Sequence, residues 1–262
     1  MKEVDAALER LHVERGQPDR PAATPPAPHW ARRADPSARA RLWSTPSAPT
    51  AATAIELAWP AVVLELERQW GDRFVRLADA LDQARARDQA KVVLFTSCHR
   101  AEGRTTLVLA LARALARRPE KTLIVDADLT GPMLARLLGL RPVVGLEDVV
   151  EAGASLSDAV VASVGGSLSI LPLRGAVARP RDFLASAGWA CTMAQLRCDY
   201  DLVVLDGGPL FIGLSAAILH RSVDAAVLVR RPGSSGERAI LRAREVLEAG
   251  GTPLLGLAET FT

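Results

Sequence analysis

From Lys91 onward the chain alternates short, unbroken apolar runs with helical stretches, and this alternation restricts the fold more than any other feature. The runs are VVLFTS, TLIVDAD, LSILPL, DLVVLDGG, AAVLVRR and PLLGLA. The helical TTLVLALARALARR follows the first, and helical patterns over residues 132–138, 181–197, 212–221 and 236–249 separate most of the others. A strand that is apolar along its whole length is covered on both faces. Such strands alternating with helices build a parallel sheet with right-handed crossovers. The expected fold is α/β and three-layered, a mostly parallel sheet with helices on both faces. Ligands of such sheets sit beyond the carboxyl ends of the strands. Three of those ends, residues 97–106, 126–130 and 206–209, are polar and carry Gly or Asp.

The first end reads TSCHRAEGRTT and runs straight into a helix. A strand–loop–helix turn points backbone N–H groups at one place, and the helix N-terminus adds partial positive charge, which favours phosphate. Gly103 permits close approach, Arg104 supplies a cation and Thr105 a hydroxyl suited to Mg²⁺; Glu102 and Thr106 flank them. The strict pattern GxxxxGK followed by Ser or Thr fails twice, at Cys98 and at Arg104. The other two ends carry Asp126 and Asp128, then Asp206. Carboxylates closing apolar strands beside a phosphate loop are what metal coordination and water positioning require. Each Asp alone is read as readily as a helix cap. Together, in this chain order, they point to a P-loop NTPase type of site. It has Glu102, Gly103, Arg104, Thr105 and Thr106 on the nucleotide, Thr105, Asp128 and Asp206 on the metal, and Asp126 and Asp128 as catalytic carboxylates.

Upstream, AVVLELERQWGDRFVRLADALDQARARD places Val62, Leu64, Leu66, Trp70, Phe74, Leu77 and Leu81 in a helical pattern, broken near Gly71, that is expected to pack on the main domain. Residues 1–54 read differently. Eight of the 17 prolines fall in the first 50 residues, and the Pro-, Ala- and Arg-rich stretch reads as a disordered linker holding Trp30 and Trp43. A short helix with Val4, Ala7, Leu8 and Leu11 on one face precedes it. The expected division is therefore 1–54 and 55–262. A net charge of +2 gives no reason to expect nucleic acid. No apolar run reaches the roughly 18 residues of a membrane helix, and no secretory signal opens the chain. Cys98, Cys191 and Cys198 lack metal or disulfide spacing. Cys191 and Cys198, seven apart on an expected helix, are read as buried thiols of a protein in a reducing, cytoplasmic compartment.

These motifs resemble the deviant Walker A class of P-loop ATPases, and most closely the cytoplasmic domain of bacterial tyrosine kinases of capsule and exopolysaccharide synthesis. RAEGRTT is similar to that family's PGEGKST, DADLTGP to DADLRxP, and YDLVVLDGGPL to YDxVIxDTPP. VGLEDVVEAGASLSDAV and LSILPLRGAVARPRDFLAS resemble two further family stretches that P-loop proteins at large do not share. The resemblance runs from about Ala61 to the C-terminus. It implies ATP or ADP with Mg²⁺ as cofactor. It also implies a membrane polysaccharide co-polymerase or a kinase-like paralogue as partner.

The departures from the family pattern are equally specific. Arg104 replaces the loop lysine, and Ala101 replaces a glycine where the loop curls. Thr130 stands for the arginine of the second motif, and Thr260 for an asparagine that contacts adenine in the family. In the ring-forming helix Asp72 keeps the acid, while Val75 and Ala78 replace two arginines. Tyr200 is the single tyrosine, so a C-terminal tyrosine cluster to be phosphorylated is missing from the inventory. The expectation is a degenerate kinase-like protein of an exopolysaccharide system that binds ATP weakly and acts through partners. A working ATPase using Arg104, and a partitioning or positioning ATPase, are the alternatives. Arg230 and Arg231 are placed on the ligand rim, and His99, with no second histidine near it in sequence, has no metal role.

Overall fold

A computed structural model of the chain describes residues 54–211 and 222–260. The expected N-terminal helix, the linker with its two tryptophans and the helical pattern at 212–221 lie outside the described residues.

The sheet has seven strands. In chain order they are β1 (Val92–Ser97), β2 (Thr122–Ala127), β3 (Val161–Ala162), β4 (Leu168–Leu171), β5 (Leu202–Pro209), β6 (Ala225–Arg230) and β7 (Leu254–Glu259). Their spatial order is β3-β4-β2-β5-β1-β6-β7. Every neighbouring pair is parallel except β3 with β4. The three-layer, mostly parallel α/β fold read from the sequence is the observed one. Strand β3 is an addition: two half-buried residues carry too short a pattern to be read.

The central strands are apolar throughout because both faces are covered, and alternation divides their side chains between two cores. Val92, Leu94, Leu123, Val125, Val203 and Leu205 enter one, while Val93, Phe95, Ile124, Leu202 and Val204 enter the other. The second core is closed by α1 (Ala61–Asp88) and α2 (Arg104–Leu115), joined by Leu134 of the short α3 (Leu134–Leu137). The first is closed by α4 (Leu146–Ala152), α5 (Leu156–Ala159), α6 (Pro180–Ala185), α7 (Ala187–Asp199) and α8 (Glu237–Ala249). The pattern expected over 181–197 is two helices. Ser186 ends the first and caps the second, its Oγ accepting the Trp189 N–H at 3.0 Å.

Two expectations need correction. Cys191 and Cys198 are exposed, not buried. The buried stripe of α7 runs through Trp189, Thr192, Met193 and Leu196. Each cysteine follows a stripe residue by two positions, a rotation of about 200° to the far side of the helix. In α1 the buried residue near the start is Val63, and Val62 and Leu64 face outward at 54% and 44% exposure. The break near Gly71 is real and falls at Trp70, whose φ/ψ of −137°/19° is not helical. At about 100° per residue the stripe through Phe74, Ala78 and Leu81 projects back onto Val63, between Val62 and Leu64, so neither of those two lies on it.

Asp224 ties the amino ends of the sheet together. Its carboxylate accepts the N–H groups of Lys91 and Val92 at 2.9 and 2.7 Å and a two-pronged contact from Arg197 of α7 at 2.8 Å. Removing it strands two backbone donors and one guanidinium at once. Asp224→Ala is expected to lower unfolding free energy in urea by about 2–3 kcal/mol, and Asp224→Asn by less.

Candidate functional site

Because β2, β5 and β1 are adjacent, their carboxyl ends meet on one rim. Asp126 and Asp206 lie opposite each other in register across β2 and β5. The loop after β1 passes beside them and enters α2 at Arg104. Among the described residues no side chain caps the N-terminus of α2, so its first-turn N–H groups face the rim without a capping acceptor from them. Gly103 has φ +80°, and a Cβ there would lie 3.0 Å from Thr260 Cβ and Cγ2. Glycine is thus favoured twice at that position, for its left-handed backbone and for its closeness to the Thr260 side chain. Ala101 adopts φ +58°, the left-handed conformation that a glycine would adopt without steric cost.

Glu102 holds the loop down from inside. It is 1% exposed. Its carboxylate accepts the His99 N–H at 2.9 Å and the Ser235 hydroxyl, and its main-chain oxygen accepts the Thr260 hydroxyl at 2.7 Å. The structure therefore places Glu102 in the loop's scaffold, with its carboxylate committed to protein donors. Thr260 stands over the loop beside Gly103. Thr105 and Thr106 are half-buried on the first turn of α2, and the Thr105 hydroxyl lies against Asp206.

Arg104 does not reach outward. Its side chain is 9% exposed and folds back onto the sheet. Nε donates to Asp206 Oδ1 at 2.9 Å, Nη1 to Ser97 Oγ at 2.9 Å, and Nη2 to Asp128 Oδ2 at 3.1 Å. A second guanidinium, that of Arg100, approaches the same Asp128 Oδ2 at 3.5 Å and donates to Thr130 Oγ1 at 2.8 Å. Asp128 Oδ1 accepts the Thr130 hydroxyl at 3.0 Å and the Gly131 N–H at 3.1 Å. Burial pushes the Asp206 carboxyl up from the usual carboxylate range, and the Arg104 charge opposes this. Asp206 Oδ2 has no hydrogen-bond partner among the described residues.

Asp126 is engaged differently. Its Oδ2 accepts the N–H groups of Met133 and Leu134 at 3.0 and 2.9 Å, which caps α3. Its Oδ1 is buried without a hydrogen-bond partner among the described residues. Burial first, and the neighbouring Asp206 second, raise its pKa to about 8. Sequence reasoning thus located the three aspartates and the loop, and the structure brings them together. It missed Ser97 and Arg100. A readable signal existed for Arg100: the loop gains an arginine at 100 where the family has proline, while the second motif loses one at 130. Arg230 reaches the rim's edge paired to Glu259, and Arg231 is exposed. His99 stacks near Phe211, with ring centroids 5.9 Å apart.

The donor set, as these side chains stand, does not fit a divalent cation. A P-loop metal takes the first-turn hydroxyl and nearby carboxylate oxygens. Here one oxygen of Asp206 and one of Asp128 accept from Arg104, and the other oxygen of Asp128 accepts from Thr130 and Gly131, so of these two aspartates only Asp206 Oδ2 is left over, one carboxylate oxygen where a metal takes several ligands.

Comparison with known proteins follows this geometry. No family model matches the chain. The tyrosine-protein kinase YwqD of Bacillus subtilis (strain 168) is 32% identical over 169 residues, covering 64% of this chain and 71% of that protein. The kinase domain of VpsO is 27% identical with a TM-score of 0.67, covering 76% of this chain and 98% of that one. The septum site-determining protein MinD of Pyrococcus horikoshii OT3, solved with Mg-ADP, is 29% identical with a TM-score of 0.53, covering 64% and 68%.

Two outcomes follow from the strained and buried groups. Ala101→Gly removes the left-handed alanine and is expected to raise unfolding free energy by about 1 kcal/mol. Asp126 holds its proton more tightly folded than unfolded, so it contributes stability at low pH that is lost as pH rises towards about 8. Urea midpoints at about pH 5 and about pH 8 are expected to fall in the wild type and to fall less in Asp126→Asn.

Proposed function

The chain belongs to the bacterial tyrosine-protein kinase family, and from that premise we propose that it is a degenerate member, one that keeps the P-loop scaffold without efficient phosphoryl transfer. It binds ATP or ADP weakly and works through protein partners in capsule or exopolysaccharide synthesis. The observation that carries this reading is the direction of Arg104. The loop cation of a phosphoryl-transfer site reaches the terminal phosphates and stabilises charge there. This guanidinium is held back on Asp206, Asp128 and Ser97 and does not extend outward from the loop. Loss of such an electrostatic clamp lowers turnover by about 10²–10³.

The remaining features support the same reading. Tyr200, the single tyrosine, is half-buried beside the start of β5. At the position of a ring-helix arginine, Ala78 is fully buried in the core, where an arginine has no room. A membrane polysaccharide co-polymerase or a kinase-like paralogue is the partner class, with the protein on the cytoplasmic side. Among the described residues no helix is long and apolar enough to cross a membrane.

The test is incubation of the full chain with γ-labelled ATP and Mg²⁺. Phosphate release and label incorporation at the level of the buffer blank are expected for the wild type and for Arg104→Ala alike. Robust turnover that disappears in Arg104→Ala identifies a working ATPase that uses its arginine, and contradicts the proposal.

A further inference from the structure

We propose that the guanidinium of Arg104, seconded by that of Arg100, stands in for the divalent cation, so that this loop takes a nucleoside diphosphate or triphosphate as a metal-free anion. The inference rests on the nucleotide-binding part of the function proposed above.

Charge is the first argument. Arg100 and Arg104 bring two positive charges to Asp128 and Asp206, which bring two negative ones. The cluster is balanced without a metal ion. A divalent cation entering beside Asp128 meets two guanidinium groups within hydrogen-bonding range of the oxygen it needs. In a site this buried the repulsion is weakly screened.

Geometry is the second argument. A planar guanidinium offers five N–H donors in a fixed fork. Three of them reach Asp206, Ser97 and Asp128. One hydrogen on each Nη remains for another acceptor. Arg100 is 45% exposed and adds charge on the rim side of Asp128. Together with the uncapped first turn of α2 and the left-handed Gly103, the cluster keeps what phosphate oxygens need, while both oxygens of Asp128 and one of Asp206 are taken and only Asp206 Oδ2 of that pair is left to a metal.

Lysine at 104 lacks the fork. A single ammonium cannot bridge Asp206, Asp128 and Ser97 together, so Arg104→Lys releases carboxylate oxygen for a metal ion. The experiment is calorimetric titration of ADP into the full chain, once in EDTA and once in excess Mg²⁺. The wild type is expected to bind with dissociation constants that agree within about twofold in the two media. Arg104→Lys is expected to bind about tenfold or more tightly with Mg²⁺ than in EDTA, and Arg100→Ala to bind more weakly than wild type in both. Wild-type binding that strengthens about tenfold on adding Mg²⁺ overturns the proposal. So does an Arg104→Lys protein as indifferent to Mg²⁺ as the wild type. Absence of ADP binding in both media also overturns it, yet leaves the loss of phosphoryl transfer standing, since that is read from turnover.

Discussion

The rim of this sheet is organised around one buried guanidinium. Arg104 begins α2 and is held by carboxylates at the ends of two other strands and by the serine that ends β1. A charge this far from water is tolerated only when its donors are matched. Asp206 and Asp128 supply that match, and Arg104 in turn keeps two close carboxylates from repelling each other. The strand ends, the loop and the first turn of α2 are therefore one electrostatic unit. In a P-loop enzyme the same unit is closed by a metal ion and by the substrate's phosphates. Here protein groups close it.

The other departures fit this unit. Arg100 sits on Asp128 and Thr130, so positive charge absent at 130 returns from the loop itself. Glu102, Ser235 and Thr260 lace the loop to the segment after β6 and to the end of β7. That lacing explains how Ala101 is kept at φ +58° where a glycine would adopt it freely. Such bracing suits a loop that holds one geometry, the one in which the Arg104 contacts are kept.

Much of the architecture was legible from the residues because central strands buried on both faces leave an unmistakable pattern, as in VVLFTS and DLVVLDGG. The site's location was legible for a related reason, since three strand ends bearing Asp and Gly meet on one rim, although Asp126 also serves as the cap of α3. Three things were not. The cysteines of α7 were misplaced because spacing alone does not say which side of a helix faces the core; Trp189 and Leu196 decide that. The phase of α1 was misread at Val62 and Leu64 because Val62, Val63 and Leu64 are all apolar, and only Val63 continues the stripe back from Phe74. The direction of Arg104 was hidden because the residue type suits both roles, gripping phosphate or neutralising carboxylates. Only the distance to Asp206 and Asp128 distinguishes them.

The account stands or falls on what lies between Thr105, Asp128 and Asp206 when nucleotide is offered with a metal. Crystals grown with ADP and Mn²⁺, measured for anomalous scattering at the manganese edge, address this directly. The account predicts no anomalous peak at the rim and the Arg104 guanidinium still bonded to Asp128 and Asp206. A manganese peak beside the Thr105 hydroxyl, with Arg104 displaced outward, contradicts it.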